Sequence, residues 1–479
     1  MRSIVLVQPH EGAYNKFMKP WVPLSLLAVA AKLDLEGYPI TVIDQRVDPD
    51  WKSTLARALE SDPLCVGITS MTGSQILGAL EASRIVKQQG RTPVVWGGVH
   101  SSLFPTQTLA DDNIDAVIKG EGEIAFYELI KRLEVGQSLE GLLGVHFKRN
   151  GEIISNPDRP FIELDSVPHP AYHLVNVPGY IHQYFSEKDV LEIESSRGCP
   201  YNCGFCYNAP YNLRQWRPLS AARVVDRLEM LRARYNVQCF HFVDDSFFIN
   251  KDRVVEIMEL VISKNLGIKM GFQGSRVDVL QRMNDRELDL MYRAGTRFLQ
   301  FGVEAGSPRI LKLINKKINP EDVLAVNRRL VKYPLLIPYY NFMCGFPGET
   351  REDLFKTTEL AWNLLKQNRK ALISPFHHFK PYPGTDLFNM AVSHDFAIPQ
   401  TLEAWGHFDW TEAAGNVANG LAERLLKKVE LTSIFVDGKI RSQSDSALAA
   451  LAAALYKPIA RFRMKNNFYS FMPESVFYK

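Results

Sequence analysis

The sequence predicts an α/β protein of two wound domains followed by a mainly helical region. The first domain reads as a doubly wound, flavodoxin-like (Rossmann-like) sheet over 1–135. A linker over 136–188 leads to a partial (β/α)6 barrel over 189–395, and 396–479 reads as mainly helical. Three observations carry this. Short apolar runs alternate with helical stretches in two series, the pattern of parallel strands covered on both faces. A chain of 479 residues is too long for one ordinary domain. Between the series lies "PDRPFIELDSVPHPAYHLVNVPGY", rich in Pro and His and without a period.

In the first series the strands are "SIVLVQ" (3–8), "PITVID" (39–44), "LCVGITS" (64–70), "TPVVWGG" (92–98) and "IDAVIKGEGE" (114–123). Helices 23–37 and 76–90 lie between them, each stopped by a glycine, and a third runs from about 124 to 133. Five strands suit a flavodoxin-like sheet, whose ligands bind beyond the carboxyl ends of the strands. In the second series six strands begin with "VLEIES" (190–195) and end with "ALISPFHHF" (371–379). Six βα units in a row suit a barrel or partial barrel, with its active site at the same strand ends. Ser220 is placed to cap the first barrel helix.

Hydrophobic residues make up 46% and charged residues 23%, and the formal net charge is only +3. This is a globular balance without the basic excess of a dedicated nucleic-acid binder. No apolar run approaches the roughly 18 residues a membrane span needs. The apolar run at the start is too short for a secretory leader. Three of the six cysteines are clustered, which reads as metal binding in a reducing, cytoplasmic compartment rather than as a disulfide framework.

The cluster lies in "SSRGCPYNCGFCYNAPYN" (195–212), with Cys199, Cys203 and Cys206 spaced C-x3-C-x2-C at the end of the first barrel strand. Thiolates select zinc, copper(I) or iron–sulfur clusters. Three ligands on a [4Fe-4S] cube leave one iron open to substrate or cofactor. A closed zinc site needs a fourth ligand, for which His169, His173, Cys239 and His241 are the candidates. Cys65, Cys239 and Cys344 otherwise read as small buried hydrophobes, with Cys344 alternatively a hydrogen donor.

This spacing after the first strand of a βα barrel resembles the radical S-adenosylmethionine (SAM) superfamily, and Phe205, before the last cysteine, matches as well. The resemblance implies a [4Fe-4S] cluster whose open iron chelates SAM. An electron from an external flavodoxin- or ferredoxin-type donor then yields a 5′-deoxyadenosyl radical. It places Asp244 and Asp245 of "FVDDSF" near the SAM amino group, Glu304 of "FGVEAGSP" near the ribose, and Gly345 of "CGFPGET" near the adenine. The plain alternative for the aspartates is a helix cap.

An N-terminal doubly wound domain before the barrel resembles the cobalamin-binding branch of that superfamily. Ser70 and Thr72 of "SMT", Gly97, Gly98 and His100 of "GGVHSS", and Gly120, Glu121 and Gly122 of "GEGE" resemble its ligand loops. The D-x-H-x-x-G motif that supplies a lower axial histidine elsewhere is absent. His10 stands in the corresponding loop, as an axial ligand or as a solvated loop histidine. The resemblance covers roughly 1–390. It implies a C-methyltransferase acting on an unactivated carbon of a small natural-product, lipid or tetrapyrrole-like molecule, through methylcobalamin and the 5′-deoxyadenosyl radical. The rivals are an oxidative cyclase or ring-rearranging enzyme, and a cobalamin or redox sensor without turnover. A tRNA methylthiotransferase, which shares the cysteine spacing, ranks well below the methyltransferase reading, because its second cysteine trio is missing, Cys65 standing alone, and the net charge is low.

Overall fold

The computed structural model describes residues 1–12, 19–185, 187–394, 396–408, 421–439 and 447–473. The chain forms two compact units. The first is Met1–Tyr180 with Ile398–Asp409, and the second Ile181–Ala397 with Trp410–Lys479.

In the first unit, strands β1 (Ile4–Gln8), β2 (Ile40–Asp44), β3 (Val66–Thr69), β4 (Val94–Gly97) and β5 (Ala116–Ile118) pair in parallel in the order 2-1-3-4-5. This is the flavodoxin-like order, whose switch point lies between β1 and β3. Leu6, Leu26, Ala30, Phe126, Leu129 and Ile130 share its core, so the apolar alternation read from the sequence is the packing itself.

The linker, expected to be structured, carries strands of its own. Strands β6 (Val145–Arg149) and β7 (Glu152–Ser155) form an antiparallel hairpin that extends the sheet beyond β5. Its two-residue turn is Asn150-Gly151, both left-handed (φ 54° and 84°). That dipeptide is the strongest short-range hairpin signal a sequence offers, and the sequence reading passed over it. The late segment around helix Leu402–Gly406, expected with the helical region, belongs to this first unit too. Trp405 is fully buried, its indole N–H donates to Gln107 Oε1 at 2.9 Å, and its ring lies 5.7 Å from that of His100.

In the second unit β8 (His182–Tyr184) is antiparallel to β9 (Glu187–Ile193). Two-residue strands β10 (Ser196–Arg197) and β11 (Arg217–Pro218) pair separately. Then β9, β12 (Cys239–Phe242), β13 (Lys269–Ser275), β14 (Thr296–Glu304), β15 (Ile337–Cys344) and β16 (Leu372–His378) run parallel in sequence order as a curled half-barrel. Helices follow each strand, and Ser220 caps the first of them by accepting from Arg223 N–H at 3.3 Å. Helix Glu423–Phe435 and its continuation cover the β16 edge. Ser433 Oγ and Asp437 Oδ2 accept from the amides of Phe376 (3.0 Å) and Ile373 (2.9 Å), which removes an open strand edge. Among the described residues helix Ala447–Asn466 bears out the helical reading of 446–458, and Ser446 lies outside them. No described helix is long and apolar enough to cross a membrane.

Alternation decides what lines the half-barrel. Leu299, Phe301, Tyr340 and Phe342 are buried on the helix side, where Tyr340 donates to Asn327 Oδ1 at 3.0 Å. The other face carries Gln273, Gln300 and Asn341. It is plugged at its amino-terminal end by Tyr184, Phe185, His241, Phe298 and Tyr339, with Phe185 and Phe298 stacked at 4.5 Å. Tyr339 and His377 therefore face inward. Tyr340 faces a helix, and His378 pairs with Glu430 at 3.4 Å.

Candidate functional site

The cysteine loop leaves the carboxyl end of β9 and is pinched at its base by the β10–β11 pair. Gly198, at φ 81°, opens it. A Cβ there would lie 2.0 Å from Gln215 O, so glycine is obligatory. Beyond the pinch the loop is pinned from outside. Ile314 O accepts from Gly204 N–H at 2.9 Å, and Asn202 O accepts from Asn315 Nδ2 at 2.6 Å. Cys203 is buried, Cys199 and Cys206 half-buried. Burial raises the thiols of Cys199 and of Cys206, the latter to about 12, and the charge of Cys203 raises both further. A coordinated metal deprotonates such thiols, so these raised groups suit metal ligands.

That donor set fits an iron–sulfur cluster better than zinc. Cys239 stands beside Val190 in the sheet, at the far end of the strands from the loop, and His241 belongs to the aromatic plug. His173 is paired with Asp34 at 3.1 Å. No three His, Cys, Asp or Glu side chains among the described residues form a set for one metal ion. Cys65, Cys239 and Cys344 are free and buried.

The two aspartates after β12 have different roles. Asp244 is 1% exposed, and its oxygens accept from Ser195 N–H (2.8 Å), Ser195 Oγ (2.7 Å) and Ser196 Oγ (2.5 Å). Burial raises its carboxyl to about 6 against the pull of these donors and Arg253. Asp244 thereby anchors the root of the cysteine loop. It is not a helix cap. Asp245 accepts from Gly198 N–H at 2.9 Å and lies close enough to raise Cys199, Cys206 and Tyr207.

Glu304 ends β14 after a bulge, in the left-handed region at φ 71°. A non-glycine residue held there at a strand's carboxyl end marks a constrained site. Its Oε1 accepts from Lys316 Nζ at 2.8 Å, with both residues under 10% exposed. Burial would lower the lysine, but Glu304 and Cys203 hold its pKa above the ordinary value. Lys316 also lies 5.8 Å from the Phe205 ring. Arg276, just past β13, donates from Nη1 to Cys203 Sγ at 3.7 Å. The sequence reading named neither cation, since neither sits in a motif.

Gly345, at φ 79°, follows β15. Its amide and that of Phe346 donate to Glu349 Oε2 at 2.6 and 3.1 Å. Glu349 is 1% exposed, its Oε1 has no hydrogen-bond partner among the described residues, and burial raises its carboxyl to about 7.

In the first unit the three motif loops meet beyond β3, β4 and β5. Ser70 Oγ donates to Gly97 O (3.2 Å), Ser102 Oγ donates to Gly98 O (2.7 Å) and accepts from Gly120 N–H (2.9 Å). Gly98, at φ 97°, lets the chain pass Ser70, whose carbonyl oxygen a Cβ would approach to 2.5 Å. Gly97 and Gly120 face open space where a side chain would stand. Thr72 Oγ1 lies 3.0 Å from His100 Nδ1, and His100 Nε2 is buried without a partner among the described residues. Burial lowers this imidazole to about 4, so it is neutral. Glycine cradles beside an orphaned buried nitrogen suit a large, flat, polar-edged cofactor. Two further residues of these loops have structural partners. Glu121 Oε2 accepts from Ile162 N–H at 2.8 Å, and a Cβ on Gly122 would meet Val29 at 2.8 Å. His10 follows β1, where its Nδ1 accepts from Gly12 N–H at 3.3 Å.

Fold and site define a class: a half-barrel with a three-thiol loop, preceded by a doubly wound ligand domain. The comparisons make it specific. The Radical SAM superfamily matches residues 193–361, and the B12 binding domain matches 13–130. An uncharacterized methyltransferase of Pyrococcus horikoshii, PH0819, is 30% identical over 436 residues, covering 90% of this chain and 92% of its own. The anaerobic magnesium-protoporphyrin IX monomethyl ester cyclase of Cereibacter sphaeroides is 28% identical over 80% of this chain and 63% of its own. Among solved structures, the cobalamin-dependent SAM radical enzyme OxsB with aqua-cobalamin bound aligns over 100% of this chain and 74% of its own, at TM-score 0.77 and 18% identity. The chain belongs to the radical SAM superfamily, in the branch that carries a B12-binding domain. It is a cobalamin-dependent radical SAM enzyme, with a [4Fe-4S] cluster, SAM and cobalamin as its cofactors.

Proposed function

We propose that this enzyme is a C-methyltransferase acting on a small molecule. The observation that carries this is length. PH0819, an uncharacterized methyltransferase by name, matches over 90% of this chain and 92% of its own, whereas the chain spans 63% of the cyclase. Cys199, Cys203 and Cys206 would hold the cluster, Asp245, Glu304 and Gly345 would border SAM, and Ser70, Thr72, Gly97, Gly98, His100 and Gly120 would border cobalamin. Bound there, the cluster supplies the electron that opens the SAM sulfonium, and cobalamin carries the methyl group. The chain's own residues position and exclude. Asp244 fixes the loop root, Glu349 shapes the turn at Gly345, and the aromatic plug closes one end of the half-barrel to water.

The inner face favours a substrate with hydrogen-bonding groups over a bare hydrocarbon. Gln273, Gln300 and Asn341 are uncharged amides, Gln300 Nε2 donates to Asn341 Oδ1 at 3.3 Å, and Gln300 Oε1 is buried without a partner among the described residues. A buried carbonyl in need of a donor is a recognition element. An external one-electron donor of flavodoxin or ferredoxin type completes the reading. The test is anaerobic incubation of the reconstituted enzyme with a polar metabolite extract and SAM labelled in its methyl group. A product carrying the label supports methyl transfer. Unlabelled product formed together with 5′-deoxyadenosine favours cyclisation or rearrangement.

A further inference from the structure

We propose that Arg276 sets the reduction potential of the cluster. The proposal rests on the assignment of the cluster to Cys199, Cys203 and Cys206. Arg276 is 6% exposed and all three of its nitrogens are committed. Nε donates to Asp278 Oδ1 at 2.9 Å, Nη2 to Lys316 O at 2.8 Å, and Nη1 to Cys203 Sγ at 3.7 Å. Its Cζ lies 3.5 Å from the centroid of the Tyr201 ring, and Tyr201 OH donates to Asp278 Oδ2 at 2.8 Å. The guanidinium is thus held rigidly between the cysteine loop and the barrel, with an N–H aimed at the most buried of the three ligand sulfurs.

Reduction adds one electron to the cluster and takes up no proton. The reduced form therefore carries one more negative charge. A fixed cation that donates to a ligand sulfur stabilises that form and raises the potential. Lys316 is the second buried cation nearby, but its ammonium is paired with Glu304. Asp278 is the counter-ion of Arg276 and should act with the opposite sign.

The test is an EPR-monitored titration of the anaerobically reconstituted full-length protein, with Ti(III) citrate as the one-electron reductant. Wild type, Arg276→Met, Arg276→Lys and Asp278→Asn are compared, with iron counted in each. Arg276→Met is expected to keep its iron and lose at least tenfold in the reduced-to-oxidised ratio at fixed potential, a downward shift of 59 mV or more for one electron. Arg276→Lys should shift less, and Asp278→Asn should shift upward. An iron-replete Arg276→Met that titrates with wild type overturns the proposal, as does an Asp278→Asn that shifts in the same direction as Arg276→Met. If Arg276→Met does not assemble a cluster, Asp278→Asn decides: an upward shift supports the proposal and no shift overturns it. Wild-type protein that binds no iron would instead defeat the cysteine assignment.

Discussion

Lys316 Nζ donates to Glu304 Oε1 at 2.8 Å inside the half-barrel, with both side chains almost wholly buried. The pair occupies the carboxyl end of β14, and the glutamate is held at a φ of 71°. Breaking one half of a buried pair leaves an uncompensated charge and costs about 3–5 kcal/mol. Lys316→Met and Glu304→Gln should each lower the denaturation midpoint. The double variant Glu304→Gln/Lys316→Met should recover part of the loss. Urea titrations of the four proteins check the cycle, and additive losses would contradict the coupling.

The aspartates after β12 should separate by assay. Asp244→Asn replaces an acceptor that serves three donors at the loop root. It should cost about 1–3 kcal/mol in urea titration and lower the iron retained per chain. Asp245→Asn should keep its stability and bind SAM at least tenfold more weakly in equilibrium dialysis. If Asp244→Asn weakens SAM binding while retaining stability and iron, the two roles have been exchanged.

Glu349 gives a pH dependence with a definite sign. Burial raises its folded carboxyl from 4.5 to about 7. A raised folded pKa means the folded state binds the proton more tightly. The resulting stabilisation is complete below 4.5 and is lost as pH rises through about 7. Glu349→Gln keeps an acceptor for the amides of Gly345 and Phe346 but does not titrate. The Tm of wild type relative to Glu349→Gln should fall between these pH values and level off above them. A difference that is flat with pH contradicts the assignment.

Gly97 should separate ligand binding from folding. A Cβ at this position meets no atom within 4 Å. Gly97→Val should therefore leave Tm nearly unchanged while weakening aqua-cobalamin binding at least tenfold, read from corrin absorbance after gel filtration. Unchanged binding would remove this loop from the cofactor site.

What the sequence made legible follows from periodicity and spacing. The apolar runs at 3–8 and 64–70 are strands because both faces of a parallel sheet are covered, and the cysteine spacing marks its loop unaided. Partners brought together by the fold were not legible. Arg276 reaches Cys203 across 73 positions, and helix Leu402–Gly406 is too short to show a period. The adjacent Asp244 and Asp245 look alike in sequence, and only the serines at the loop root tell them apart. Asn150-Gly151 was a readable hairpin signal, hidden by the Pro-rich run that follows it.

The proposed methyltransferase joins radical SAM chemistry to methyl transfer by cobalamin in one chain. The most direct measurement is an anaerobic reaction of the protein, reconstituted with iron, sulfide and cobalamin, with Ti(III) citrate and CD3-labelled SAM. Mass spectrometry then follows both 5′-deoxyadenosine and the corrin. A methyltransferase should give 5′-deoxyadenosine together with a CD3 group on the corrin, and neither when Cys203 is replaced by alanine. 5′-Deoxyadenosine formed while the corrin never acquires the label would contradict the proposal.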